Sequence, residues 1–322
     1  MLMELAAQLQ RSLNLLQKQD IQTASQALKP KWGSAAVRLG DDCAAIPDRE
    51  GYLLFAAEGM LPKFVEEEPW FAGWSAVMVN VSDIYAMGGT PIAVVDTLWS
   101  KSGEQIDLLW EGMKAASAAY NVPIVGGHTN CHSSYTALSV AILGRAKHLI
   151  TSFDAQPEDV LLVATDFRGE PHPKYPFWDA ATKADPVRLQ ANLSILPVLA
   201  AAGLCNAGKD ISNGGIVGTL LMLLETSDCG AVLNLDRIPC PDGLTLDQWL
   251  ISFPSYGFLL SVHPNNAKMI QAHFRQQDLI CEIVGTVQTG SRLVLRSGED
   301  SIDFWDLSEQ KLTGFSKPGA LL

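Results

Sequence analysis

Carboxylates stand at four places where apolar runs end or turn. Asp41 and Asp42 follow Gly40, Glu58 precedes Gly59, Asp83 closes Asn80-Val81-Ser82-Asp83, and Asp210 opens Asp210-Ile211-Ser212-Asn213-Gly214-Gly215. Separated carboxylates beside glycine suit one kind of chemistry. Mg²⁺ takes carboxylate and phosphate oxygens in an octahedron, and it keeps company with transferred phosphates. Phosphoryl transfer asks the protein for charge neutralisation and positioning more than for covalent help. Glycine beside the acids lets backbone approach a phosphate closely. Asp83 is the most informative of the set. Phe71, Trp74, Met78, Val81 and Tyr85 recur at steps of three and four, so Asp83 belongs to a helix with a buried face. A carboxylate on an apolar helix needs a partner, and a metal is one.

Taken one at a time, these acids are ordinary. Gly-Asp-Asp is a common turn, Asp-Ile-Ser-Asn-Gly a common cap with its loop, and an amphipathic helix leaves room for one polar side. Only the ordered set points to metal. His128, Cys131 and His132 fall within five residues, but a closed zinc site needs four ligands and the sequence offers no partner pair. The stretch Phe167 to Asp179 carries Arg168, His172, Lys174 and the prolines Pro171, Pro173 and Pro176. Arg168 and Lys174 suit an anionic substrate or ATP phosphates; the competing reading is an exposed lid with solvated charges. No Ser-His-Asp or Cys-His motif supports nucleophilic hydrolysis.

The elements that position these residues alternate between strand and helix. Leu5, Leu9, Leu13 and Leu16 predict a helix over 1–29, broken at Lys29-Pro30-Lys31-Trp32-Gly33. Tyr52 to Ala57 predicts a buried strand. A helix starts near Pro69 and ends at Gly88-Gly89. A strand over Pro91 to Leu98, a helix over Glu104 to Tyr120, a strand over Val122 to Val125 followed by Gly126-Gly127, and a strand over Tyr135 to Gly144 complete the first half. A polar break at Thr151 to Glu158 predicts two domains, 1–153 and 154–322. The second half reads as a strand at Val160 to Thr165, a helix from Asp185 to Ala202 capped by Asp185 before Pro186, and an apolar helix from Gly214 to Thr226. Strands at Phe258 to Val262 and Ile280 to Val287 flank a helix from Pro264 to about Gln276. The class is α+β, with α/β alternation in both domains.

Bulk properties narrow the function. The 322 residues are 48% hydrophobic, ample for a sizeable core, and the net charge is −12. An acidic surface repels a phosphate backbone, so no nucleic-acid partner is expected, whereas ATP arrives with cations that acids attract. The six cysteines include no C-x-x-C pair, which fits reduced thiols in the cytoplasm. No run approaches the roughly 20 apolar residues of a membrane span, and the N-terminus lacks a signal-peptide core, so no membrane partner is expected.

The motifs resemble a known family. Gly40-Asp41-Asp42-Cys43-Ala44, the stretch Val79 to Pro91 containing Ser82-Asp83-Ile84-Tyr85-Ala86-Met87-Gly88-Gly89-Thr90-Pro91, Val125-Gly126-Gly127-His128-Thr129, and Asp210-Ile211-Ser212-Asn213-Gly214-Gly215 are similar, in order, to the aminoimidazole ribonucleotide (AIR) synthase superfamily. The resemblance runs from about Leu39 to Leu221. It implies an AIR synthase-like two-domain fold: an N-terminal domain whose strands pair with a second copy into a shared barrel, making a homodimer, and a C-terminal α/β sandwich. It implies ATP and Mg²⁺ as cofactors and a small-molecule substrate. By position it assigns the metal to Asp42, Asp83 and Asp210, with Asp41 beside them and Glu58 where an Asp is usual. Asp42 and Asp83 become the residues closest to the chemistry. Gly126, Gly127, Ser212, Asn213 and Arg168 become candidates for holding nucleotide. The chain departs from the superfamily's thiamine-monophosphate kinases at His128, where an imidazole is a poor Mg²⁺ ligand, and at Asn213, where an acid is usual. It also lacks the terminal Cys of a hydrogenase-maturation member. The expectation is an ATP- and Mg²⁺-dependent phosphotransferase or ATP-activating synthase. The alternatives are thiamine-monophosphate kinase itself and a non-catalytic nucleotide-binding regulatory or scaffold protein.

Overall fold

The computed structural model describes residues 2–32, 37–101 and 103–316. Gly33 of the expected N-terminal break and the terminal stretch 317–322 lie outside the described residues. The chain forms two compact units. One takes Cys43–His148 and Ala181–Val198; the other takes the N-terminal stretch to Asp42, Leu149–Ala180 and everything from Leu199 onward.

The first unit is built on five strands: β1 (Ala44–Asp48), β2 (Gly51–Gly59), β3 (Thr90–Trp99), β4 (Ile124–Asn130) and β5 (Ala137–Ala146), ordered β1-β2-β5-β3-β4. Only β3 and β4 run parallel; the rest are antiparallel. Alternation along the strands separates two faces. Leu54, Val94, Leu98, Leu138, Val140 and Ile142 are buried on the face that carries helix Pro69–Ala86. Helix Gly103–Tyr120 packs on that helix at a glycine crossing: a Cβ on Gly112 would lie 1.9 Å from the Trp70 carbonyl oxygen, and one on Gly73 would lie 2.2 Å from that of Leu109. Sandwiched this way, helix Pro69–Ala86 is buried around nearly its whole circumference, which is why its spacing shows no clean polar side. The opposite sheet face leaves Phe55, Val95 and Ile46 half-exposed. Gly126-Gly127 lies inside β4 rather than after a strand, because the ladder with β3 continues past it to Asn130.

The second unit holds β6 (Val160–Thr165), β7 (Glu170–Pro171), β8 (Phe177–Asp179), β9 (Ala207–Asp210), β10 (Gly230–Asn234), β11 (Phe253–Pro254), β12 (Gly257–Val262), β13 (Ile280–Gln288), β14 (Arg292–Ser297) and β15 (Asp300–Asp306). Seven of them form a sheet ordered β15-β14-β10-β13-β6-β12-β9, and β11-β8-β7 form a small one. Helix Gly215–Ser227, buried at every residue, is the core of this unit, with Leu220, Leu221, Leu223 and Leu224 among Leu161, Leu233, Leu259, Leu293 and Trp249. The stretch 167–179, read from sequence as a loop, holds two strands of the small sheet.

Two helices expected as single pieces are broken. The N-terminal helix stops at Gln10, and Ser12 takes an extended conformation (φ −61°, ψ 123°) before Leu13–Leu16; the chain then continues as helix Ile21–Trp32, running through Pro30. The turn lets Leu9 and Leu15 both reach the core. The helix over 185–202 divides at Ser194 into Pro186–Leu193 and Ile195–Ala201, since Pro197 has no N–H to offer the Leu193 carbonyl. No described helix is long and apolar enough to cross a membrane.

Candidate functional site

The buried end of β9 carries a charge cluster. Lys209 and Asp210 are each 4% exposed, in register with Leu259 and Phe258 of β12. The Lys209 ammonium donates to Asp42 Oδ1 and stands 3.8 Å from Asp41 Oδ1. Asp41 in turn accepts the Ser152 N–H at 2.9 Å and the Asp42 N–H at 3.0 Å. Arg38 pairs with Asp154 at 3.3 Å and lies over the Phe153 ring, fastening the segment before the acids to the one that holds Ser152. The turn itself requires Gly40: its φ is +105°, and a Cβ would fall 2.5 Å from the Phe315 ring. Phe315 is held through Glu225, a buried acid of helix Gly215–Ser227, whose carboxylate accepts the N–H groups of Leu312, Thr313 and Gly314 and the Thr313 hydroxyl.

Electrostatics follow from burial. Desolvation pushes Asp41 up to about 6 against the pull of Lys209. Burial alone would lower the Lys209 ammonium, but Asp42 and Asp41 outweigh it and raise it above the ordinary lysine value. Asp42 Oδ2 is buried without a hydrogen-bond partner among the described residues. An oxygen of Asp42 and one of Asp210 lie within 4.8 Å of each other. Two hard oxygen donors at that separation fit a divalent cation, and the second, unpartnered oxygen of Asp42 adds a further acceptor.

Beyond Asp210 the chain turns into the buried helix. Gly214 has φ +97° and Gly215 φ +62°, and a Cβ on Gly215 would lie 2.3 Å from the Leu250 carbonyl oxygen. Both glycines are therefore demanded by geometry. Ser212 and Asn213 stand at this N-terminus, where the helix dipole favours an anion, although the Ser212 N–H already donates to Thr219 Oγ1 at 3.4 Å and the Gly215 N–H to the Ser212 carbonyl at 2.9 Å. Lys18 Nζ donates to Ser212 Oγ at 3.1 Å.

The five-stranded unit holds the other candidates. Asp83 is 6% exposed near the C-terminal end of helix Pro69–Ala86. Glu58 is exposed near the end of β2, opposite Val140, whose other neighbour is Asp96 of β3. Asp96 is 4% exposed, and neither of its carboxylate oxygens has a hydrogen-bond partner among the described residues. Burial raises its pKa. It is in register with Gly127, where a Cβ would lie 2.3 Å from Asp96 Oδ2, so Asp96 needs a glycine beside it. Gly126, by contrast, faces open space.

Sequence reasoning missed Lys209 and Asp96. Both are charges inside short apolar runs, Ala207-Gly208-Lys209 and Ala93-Val94-Val95-Asp96, and that was the available signal. Arg168 folds back on Asp166 in a two-pronged contact of 2.8 and 2.9 Å. Its stretch packs as an aromatic hairpin in which Tyr175 stacks on Phe177 at 5.5 Å. His128 is exposed on β4, 6.3 Å from the Trp99 ring. His128, Cys131 and His132 form no three-ligand cluster among the described residues.

The AIR synthase related protein, N-terminal domain, matches residues 40–146, and the AIR synthase related protein, C-terminal domain, matches residues 126–298. The protein sll0787 of Synechocystis sp. is 59% identical over 98% of this chain and 99% of its own length. A thiamine-monophosphate kinase of Pyrococcus abyssi is 25% identical over 86% of this chain and 91% of its own. Among solved structures, T. maritima PurL complexed with ATP superposes with a TM-score of 0.69 at 21% identity, over 90% of this chain and 48% of that one. The chain thus spans about half the length of the PurL structure it matches.

Proposed function

Since the chain belongs to the AIR synthase related protein family, we propose that it is an ATP- and Mg²⁺-dependent phosphotransferase or ATP-activating synthase acting on a small polar molecule in the cytoplasm. Asp42, Asp83 and Asp210 are the Mg²⁺ ligands in this reading, with Asp41 and Glu58 as supporting acids. Gly126, Gly127, Ser212 and Asn213 approach the nucleotide. Arg168, held by Asp166 through Nε and Nη2, has further N–H donors on its guanidinium for an anion. Bound metal would neutralise phosphate charge. The chain's own residues would place the phosphates near the positive end of the helix that begins at Gly215 and keep water from the buried acids.

The observation that carries this reading is the Asp42 carboxylate, with its Oδ2 unpartnered among the described residues and one of its oxygens within 4.8 Å of an Asp210 oxygen, just before a buried helix. The test is thermal stabilisation by ATP with Mg²⁺, worth about 2.7 kcal/mol at 100 times Kd. Asp42→Asn and Asp83→Asn should each abolish it, and Asp83→Asn should lower any ADP release by roughly 10²-fold or more. Unaltered stabilisation in both variants refutes the assignment.

Thiamine-monophosphate kinase is the second reading, favoured by the nearly full-length match to the P. abyssi enzyme; a direct assay with thiamine monophosphate decides it. Supporting a homodimer is the sheet face bearing Phe55, Val95 and Ile46, apolar yet uncovered within the chain. A second copy laid on that face would bury it.

A further inference from the structure

We propose that Lys209 is a built-in cation occupying a position that a divalent ion would otherwise take among Asp41, Asp42 and Asp210. The consequence is that this cluster binds metal only in competition with its own ammonium. The inference rests on the reading of Asp42 and Asp210 as metal ligands and goes beyond it by assigning a role to the lysine that contacts Asp42 and Asp41.

One ammonium contacts two carboxylates here, and a third, that of Asp210, lies within 4.8 Å of Asp42. The side chains of Lys209, Asp41 and Asp42 are 5%, 1% and 6% exposed, so water does little to screen them. Lys209 reaches both acids of the Gly40-Asp41-Asp42 turn, and Asp210 is its immediate neighbour in β9. Asp41, Asp42 and Asp210 against one ammonium leave an excess of negative charge that a divalent ion would offset. Without the lysine the same acids would call for more. The Asp42 carboxylate is the shared group: Oδ1 takes the ammonium, while Oδ2 is turned to buried space with no partner among the described residues. A metal at Oδ2 and Asp210 draws charge from the carboxylate that Lys209 grips. The like charges of metal and ammonium oppose each other across a few ångströms of poorly screened space.

A purely structural role explains less. A buried ion pair contributes little net stability over an apolar pair of the same shape. The lysine could have been a leucine or methionine if filling space were its task. It stands instead where removing it leaves acids uncompensated. When metal takes Asp42, Lys209 keeps Asp41 as an anchor and remains a fixed positive charge beside the metal position. An anionic group brought by a ligand is what such a charge meets.

The test uses the full-length chain with Mn²⁺ alone, no nucleotide, followed by calorimetry and by electron paramagnetic resonance of free Mn²⁺. Lys209→Met and Lys209→Gln should bind Mn²⁺ at least about tenfold more tightly than the wild type, or bind one more ion. Their thermal midpoints should respond to Mn²⁺ more strongly than the wild type's. Lys209→Arg, which keeps the charge, should stay near wild type. A variant that folds only when Mn²⁺ is supplied is also an expected result, because the metal has then replaced the ammonium. Unchanged affinity and stoichiometry in both neutral variants overturn the proposal, as does failure to fold with or without Mn²⁺. Asp42→Asn separates the two readings. If it leaves Mn²⁺ binding intact, the metal assignment itself fails. If it abolishes binding while Lys209→Met and Lys209→Gln behave as wild type, only the role of Lys209 fails.

Discussion

Glu225→Gln tests how the acidic turn is held in place. Glu225 is 3% exposed and accepts four hydrogen bonds, from Leu312 N–H at 3.0 Å, Thr313 N–H at 2.7 Å, the Thr313 hydroxyl at 2.6 Å and Gly314 N–H at 3.1 Å. Glutamine keeps the shape but offers one acceptor oxygen and turns an NH₂ toward donors. Roughly two of the donors then lose their partner. Each buried donor left unmade costs about 1–3 kcal/mol, so the segment should loosen by about 3–5 kcal/mol after relaxation. Because the contacts are local, the segment 312–315 should open before the unit unfolds. At about 1.4 kcal/mol per decade, amide exchange at 312–314 should quicken by roughly 10²- to 4 × 10³-fold, read by hydrogen-exchange mass spectrometry. Phe315 would then leave its seat against Gly40, and Mn²⁺ binding at the Asp41-Asp42 turn should weaken in parallel. Exchange within about threefold of wild type would refute the reasoning.

Other expectations follow from single contacts. Gly127→Ala places a Cβ 2.3 Å from Asp96 Oδ2 and 2.5 Å from the Asp96 carbonyl oxygen, so chemical denaturation should show a loss of about 1–3 kcal/mol; an unperturbed variant would mean the two strands part freely. Asp41, raised by burial from 3.8 to about 6, holds its proton more firmly folded than unfolded. Its stabilising contribution is therefore complete below its unfolded value and is lost as pH rises through about 6. Asp41→Asn should flatten that stretch of the stability curve in denaturation midpoints taken from pH 4 to 7, and an unchanged slope would exonerate Asp41. Phe55→Lys puts a charge on the uncovered sheet face and should convert a dimer to a monomer by light scattering; a dimer that persists would place the interface elsewhere.

The sequence made the scaffold legible where periodicity had one cause. The strands at Tyr52 to Ala57 and Val160 to Thr165 and the helix at Pro69 came through because each is a plain apolar run or stripe, and Asp185 before Pro186 gave a cap that the structure keeps, accepting the Val187 N–H at 2.8 Å. Short strands such as Ala207–Asp210 and Gly230–Asn234 escaped because four or five residues carry too little pattern. The N-terminal leucines kept helical spacing across a break, since spacing alone does not register the extended backbone at Ser12. Asp42, Asp83 and Asp210 stand out in the sequence as acids in ordered motifs. Lys209 and Asp96 do not, because their meaning depends on what lies across the strand: Gly127 beside Asp96, and Asp42 in front of Lys209.

The two units are threaded rather than strung end to end, and this bears on how the protein is made. The chain passes from one unit to the other after Asp42, His148, Ala180 and Val198. As it leaves the ribosome, the stretch to Asp42 emerges first but must wait for residues beyond Leu199 before it can settle, and the five-stranded unit is short of Ala181–Val198 until well past its own last strand. Closing such long loops is slow, so the acids of the Gly40-Asp41-Asp42 turn should be among the last groups to find their partners, and a nascent chain halted midway would present Leu5 and Leu9 to the solvent without helix Gly215–Ser227 and most of the core they join.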